Sequence, residues 1–216
     1  SKQIDTSILL KNADTFAANI YIPLPSTFGF TTSTATNRNP FLLGVLSIDL
    51  PILNKANQYQ KFYEASSILS TVSKNVGLVS TQKLVTNLQQ TSKHEAEINN
   101  DDIVSMINTL ESELVDLEQQ HHYQLGQWVE NTLLACEFAL INSNDKLLKY
   151  LVKYGTKKFP IEAYTLFSTL QPNISTTDKA SVLENTFRHY TTKKPLLKAE
   201  LRKLRKELHA FKAGIS

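Results

Sequence analysis

The sequence predicts an all-α protein, an irregular multi-helix bundle of about eight or nine helices. Three observations predict it. Apolar residues recur at three- and four-residue steps through most of the chain, which puts them on one face of a helix. Most prolines, glycines and asparagines fall between those runs, where helices start and stop. No stretch alternates apolar and polar residues as a half-buried strand would. With 216 residues, 41% of them hydrophobic, the chain can bury a sizeable core, and residues 1–216 are read as a single helical domain.

A first helix is expected over residues 4–18, with Ile8, Leu9 and Phe16 apolar and Asp5 or Thr6 as N-cap. In Ile22-Pro23-Leu24-Pro25, two prolines one residue apart force an extended path. Residues 26–39, rich in Thr, Ser and Asn, read as a long loop. Loops above about 12–15 residues are uncommon and need a reason, either mobility or function. Pro40 suits a first helical turn, and 41–57 reads as a buried central helix, apolar at Phe41, Leu42, Leu43, Val45, Leu46, Ile48, Leu50, Ile52 and Leu53. Pro51 should kink or restart it. A helix over 58–75 turns Phe62, Tyr63, Ala65, Ile68, Leu69 and Val72 inward and stops at Asn75-Val76-Gly77. A shorter one covers 81–90, with Leu84, Val85 and Leu88.

Residues 99–142 carry the clearest periodicity. Asn99, Asn100 and Asp101 offer N-caps, and Ile103, Ile107, Leu110, Leu114 and Leu117 form an apolar seam. Acidic Glu111, Glu113, Asp116 and Glu118 cover the rest. The seam continues through Leu125, Trp128 or Val129, Leu133, Cys136 and Leu140, as one long helix or with a break near 121–126. Four short helices follow, over 144–154, 160–170, 177–190 and 195–212, the last with Gly214 beyond its end.

Composition excludes several functions. One cysteine forms no internal disulfide and no Cys-based zinc site, and Cys136 lies in an apolar run as a buried, inert thiol. No Gly-rich phosphate-binding motif occurs, and no run reaches the ~20 apolar residues that span a bilayer. The net charge of +3 conceals an uneven distribution. Residues 1–145, an acidic helical body, hold 8 basic and 15 acidic side chains; residues 146–216, basic helices packed on it, hold 15 and 5.

The candidate chemistry is sparse. Glu118 and His122 share a helix face as metal ligands can, but His121 points about 100° away and no third ligand is indicated. Asp49 interrupts an apolar helix, and a buried carboxylate needs a partner or a shifted pKa. Trp128, near Gly126, is expected in the core, with Glu130 off its face and able to accept a hydrogen bond from a neighbouring element. The last helix carries Lys198, Arg202, Lys203, Arg205 and Lys206 beside an apolar stripe of Leu197, Leu201, Leu204, Leu208 and Phe211. That stripe is expected to dock on the bundle and leave the charges solvated, some facing the acidic helix. No catalytic residue, metal or cofactor is assigned.

Three segments resemble a family of exported, mostly lipid-anchored helical proteins of Gram-negative bacteria, whose function is unassigned. Ile22-Pro23-Leu24-Pro25 is similar to the family's IPSP segment, with Leu24 where Ser is usual. Leu43-Gly44-Val45-Leu46-Ser47-Ile48-Asp49-Leu50 resembles LGVYGADL, and Leu125-Gly126-Gln127-Trp128-Val129-Glu130 resembles GGWIEGLY, with Gln127 replacing the second Gly. The resemblance covers about residues 20–140. It implies an all-helical periplasmic lipoprotein whose signal peptide and acylated Cys precede Ser1. It makes Asp49, Trp128 and Glu130 a shared structural or ligand-lining cluster.

The expected function is therefore a non-enzymatic binding or structural module of the cell envelope. Residues 26–39 and the basic last helix are its expected contact surfaces, and its expected partner is an envelope protein or the membrane surface. Nucleic acid is not expected as a partner if the chain is exported. The alternatives are a ligand- or metal-binding protein or enzyme using Asp49, His122 or Glu130, a last helix that binds anionic lipid or nucleic acid, and a cytoplasmic location.

Overall fold

Among the described residues, helices form where the apolar spacing is three to four. The computed structural model, described here for residues 7–20, 38–95, 97–142 and 198–215, contains eight helices and no strand among those residues. They are α1 (Ser7–Lys11), α2 (Ala13–Asn19), α3 (Arg38–Lys55), α4 (Tyr59–Val76), α5 (Val79–Lys93), α6 (Asn100–Asp116), α7 (Gln120–Asn142) and α8 (Lys198–Ile215). The fold is all-α. The chain forms two compact units, residues 6–127 and residues 128–216 with 1–5.

In the first unit α3 is central and packs against α1, α2, α4 and α6. Being covered on several sides, it is apolar all round, and every residue from Pro40 to Leu50 is buried. It begins at Arg38, so Asn39 belongs to a helix and not to the loop predicted there. It runs unbroken through Pro51, so the predicted restart does not occur; burial on both sides of the proline holds the helix together. The single helix predicted over 4–18 is two short ones within the described residues, α1 and α2, separated at Asn12. The predicted helices over 144–154, 160–170 and 177–190 and the Pro-rich segment at 22–25 lie outside the described residues.

Three helix ends share one solution. A left-handed residue follows the last turn, and the next amide reaches back to a free carbonyl. At the end of α4 this is Gly77, with φ 90° and Leu78 N–H donating to Ser73 O at 2.8 Å. At the end of α3 it is Asn57, with Gln58 N–H on Leu53 O at 2.9 Å. At the end of α6 it is Glu118, with Gln119 N–H on Leu114 O at 2.9 Å. The α6–α7 break therefore lies at Glu118, N-terminal to the predicted 121–126.

The α6 core is Ile103, Met106, Leu110 and Leu114. Ile103, Leu110 and Leu114 are buried in the predicted register, whereas Ile107 is half-buried with Met106 in its place, and Leu117, beyond the helix end, is exposed. Glu113, predicted to be a solvated acid, instead caps α5: it accepts from Ser80 and Thr81 N–H, both at 3.0 Å, and from the Thr81 hydroxyl at 2.6 Å. Burial raises its pKa, but these hydrogen bonds outweigh that and hold it below the usual 4.5.

α3 and the start of α7 approach each other closely. A Cβ on Gly44 would overlap the Tyr123 carbonyl oxygen, and one on Gly126 would overlap the Phe41 carbonyl oxygen. Each helix thus uses its glycine to admit the backbone of the other. Gly→Ala inside an ordinary helix stabilises by about 1 kcal/mol. Here the sign is expected to reverse, with Gly44→Ala or Gly126→Ala losing about 1–3 kcal/mol in urea unfolding. A gain in stability would show that the two helices can part. Gly77→Ala meets no neighbour and should cost about 1–2 kcal/mol, from left-handed strain alone.

Candidate binding site

The glycine crossing sets the polar contacts around it. Ser47, one turn after Gly44, donates to Gly44 O at 2.7 Å and accepts from Gln127 Nε2 at 3.1 Å. Gln127 Nε2 also lies 3.0 Å from Tyr123 Oη, which donates to Glu111 Oε1 at 2.9 Å. Two of the three resemblance segments, at Gly44 and Gly126, thus meet in one bonded network. Tyr123 is buried in it, and burial together with Glu111 pushes its phenol well above the ordinary 10. This network is a rigid polar seam: its donors and acceptors are engaged with one another.

Asp49 lies two residues beyond Ser47, about 200° round α3 from it, and is 1% exposed. His122 is half-buried. Burial, then the neighbouring His121, lowers its pKa below 6.5. Among the described residues no three of His, Cys, Asp and Glu gather as metal ligands. Glu118 has left the helix in a left-handed turn, so the shared face predicted for Glu118 and His122 is not formed.

An open groove of about 610 Å³ runs along α6 beside the start of α5, lined by Ser80, Asp101, Ser105, Asn108, Thr109 and Ser112. It offers hydroxyls, the Asn108 amide and the Asp101 carboxylate but no aromatic platform, and Glu113 at its edge is already engaged by α5.

The second unit holds the remaining candidates. Trp128 is half-buried, not in the core as predicted, because Val129 takes the inward position. Glu130 is 1% exposed and accepts from Lys212 Nζ at 2.7 Å. Two turns on, Glu137 accepts from Arg205 at 3.2 Å and lies 3.5 Å from His209 Nε2. Glu130 pairs with the later α8 residue and Glu137 with the earlier ones, so α7 and α8 run antiparallel here. On the same helix Leu201, Leu204, Leu208 and Phe211 are buried, as the sequence predicts; Leu197 lies outside the described residues. The helix extends through Gly214 to Ile215 instead of ending before it. Lys198, Arg202, Lys203 and Lys206 are exposed, whereas Arg205 is drawn to Glu137. Cys136 is fully buried; burial, with Glu137 alongside, pushes its thiol to about 12.

The ion pair and His122 give two tests. Lys212→Met removes from buried Glu130 the cation it holds and should cost about 2–3 kcal/mol in urea unfolding, since breaking a buried pair leaves a charge behind. Pairing that change with Glu130→Gln should restore part of the loss; no restoration would show that the two side chains act independently. For His122 the unfolded chain takes up the proton more readily than the folded one. Stability is therefore lost as pH falls through 6.5, and His122→Gln should flatten that loss between about pH 7.5 and about pH 5.5.

No helix among the described residues is long and apolar enough to cross a membrane. No family model, curated protein or solved structure matches the chain.

Proposed function

We propose that the protein is a non-enzymatic helical binding module of the cell envelope, periplasmic and held to the membrane by a lipid on a cysteine upstream of Ser1. The observation that supports this reading is how the polar residues of the resemblance segments are used. Ser47 and Gln127 are bonded to each other, and Glu130 is bonded to Lys212. These groups hold helices together instead of converging on a cleft where a reacting atom could sit. The exposed chemistry lies elsewhere, on the hydroxyl-lined groove of α6 and the cationic face of α8. Asp49, Trp128 and Glu130 serve in this reading as framework for the binding surfaces.

Fractionation of cells expressing the protein from its complete gene tests the reading. It is expected in the envelope fraction, with incorporation of labelled palmitate. Recovery wholly with a cytoplasmic marker, without label, would overturn it. A stoichiometric metal in natively purified protein, lost in Asp49→Asn, His122→Gln or Glu130→Gln, would favour an enzyme or metal protein instead.

A further inference from the structure

The charges of α8 sort into two groups with different fates. Arg205, His209 and Lys212 point along the flank that meets α7, where Glu137 and Glu130 receive them. Lys198, Arg202 and Lys206 follow one another at four-residue steps on the outer side, all exposed, and among the described residues no ion pair engages them. Lys203 is exposed beside them and is 3.9 Å from Glu207, a surface contact worth little. The acidic residues of the helix, Glu200 and Glu207, are half-buried on the far flank, so none lies between Lys198, Arg202 and Lys206. The other residues on the outer side, Ala199 and Ala210, are small and leave the cations standing proud.

We propose that this row, Lys198, Arg202, Lys203 and Lys206, is a docking surface for an anionic lipid bilayer, which it meets by charge alone. The inference rests on the reading of the chain as a binding module. Two features select the occupant. The apolar stripe of α8 is buried within the protein, so the helix cannot insert and only its charges can engage. Apart from His209, which lies 3.5 Å from Glu137, the outer face carries no aromatic, amide or hydroxyl side chain to stack on or read bases. Four cations also fall short of the ~6–10 phosphate contacts of a typical nucleic-acid footprint. Mobile lipid headgroups need no such register. Each Lys or Arg near an anionic membrane surface contributes about 1 kcal/mol, close to fivefold in partitioning.

The test is co-sedimentation of the full 216-residue chain with vesicles of phosphatidylcholine alone or mixed with phosphatidylglycerol. Binding is expected only to the mixed vesicles, and it should vanish near ~1 M salt, where the Debye length is ~3 Å. Arg202→Gln with Lys206→Gln should weaken it about thirtyfold, while Lys83→Gln, an exposed lysine on α5, should leave it unchanged. Circular dichroism melting of each variant confirms that the fold is kept. Equal binding to both vesicle types, or no effect of the double change in a folded variant, would overturn the proposal. So would binding to duplex DNA that is tighter than vesicle binding at the same salt and lost in the same variant. If vesicle binding fails while the protein still fractionates with the envelope, this surface is wrong and the module reading stands.

Discussion

The first unit depends on two helices touching at their backbones. Helices that meet through ordinary side chains keep their axes about 8–10 Å apart. Where Gly44 faces Tyr123 and Gly126 faces Phe41, no side chain intervenes, and the carbonyl of each partner occupies the space a Cβ would take. That separation brings Ser47, Gln127, Tyr123 and Glu111 within hydrogen-bonding reach, and buried polar groups need such partners. The apolar flanks of α3 then close over the seam from α4 and α6. A buried pair on another part of α3 works alike: Asn54 donates to Ile98 O at 3.0 Å and pins the segment that leads into α6.

Much of this architecture is legible in the sequence because it is local. The apolar run of α3, the Gly77 stop and the Leu–Phe stripe of α8 each follow from residue type and spacing alone. Asn99 caps α6 by accepting from Asp101 N–H at 3.0 Å, the role its side chain suggests. What was not legible depends on neighbours. Glu118 gives no sign that it adopts a left-handed turn, because that conformation favours glycine or asparagine. Met106 and Ile107 are both apolar and adjacent, and only the packing of α6 against α3 and α5 decides which turns inward. Glu113 looks like any surface acid until the start of α5 is placed above it.

The candidate site divides along the same line. The sequence marks Glu130 as a group able to accept a hydrogen bond, but its donor lies 82 positions away, and no spacing rule connects them. The count of basic residues in α8 was plain from the start. Their division was not: Arg205 looks no different from Arg202 until Glu137 claims it. Charge totals describe a helix, whereas the neighbours decide which charges remain available.

Cys136 carries a consequence of its own. With its thiol pushed to about 12 and fully enclosed, it is almost never the thiolate that oxidants, metals and disulfides require. Cys136 is therefore silent in thiol redox chemistry. Glutathione-rich and disulfide-forming surroundings would leave this side chain equally unchanged, and it needs no protection once the helices around it have closed.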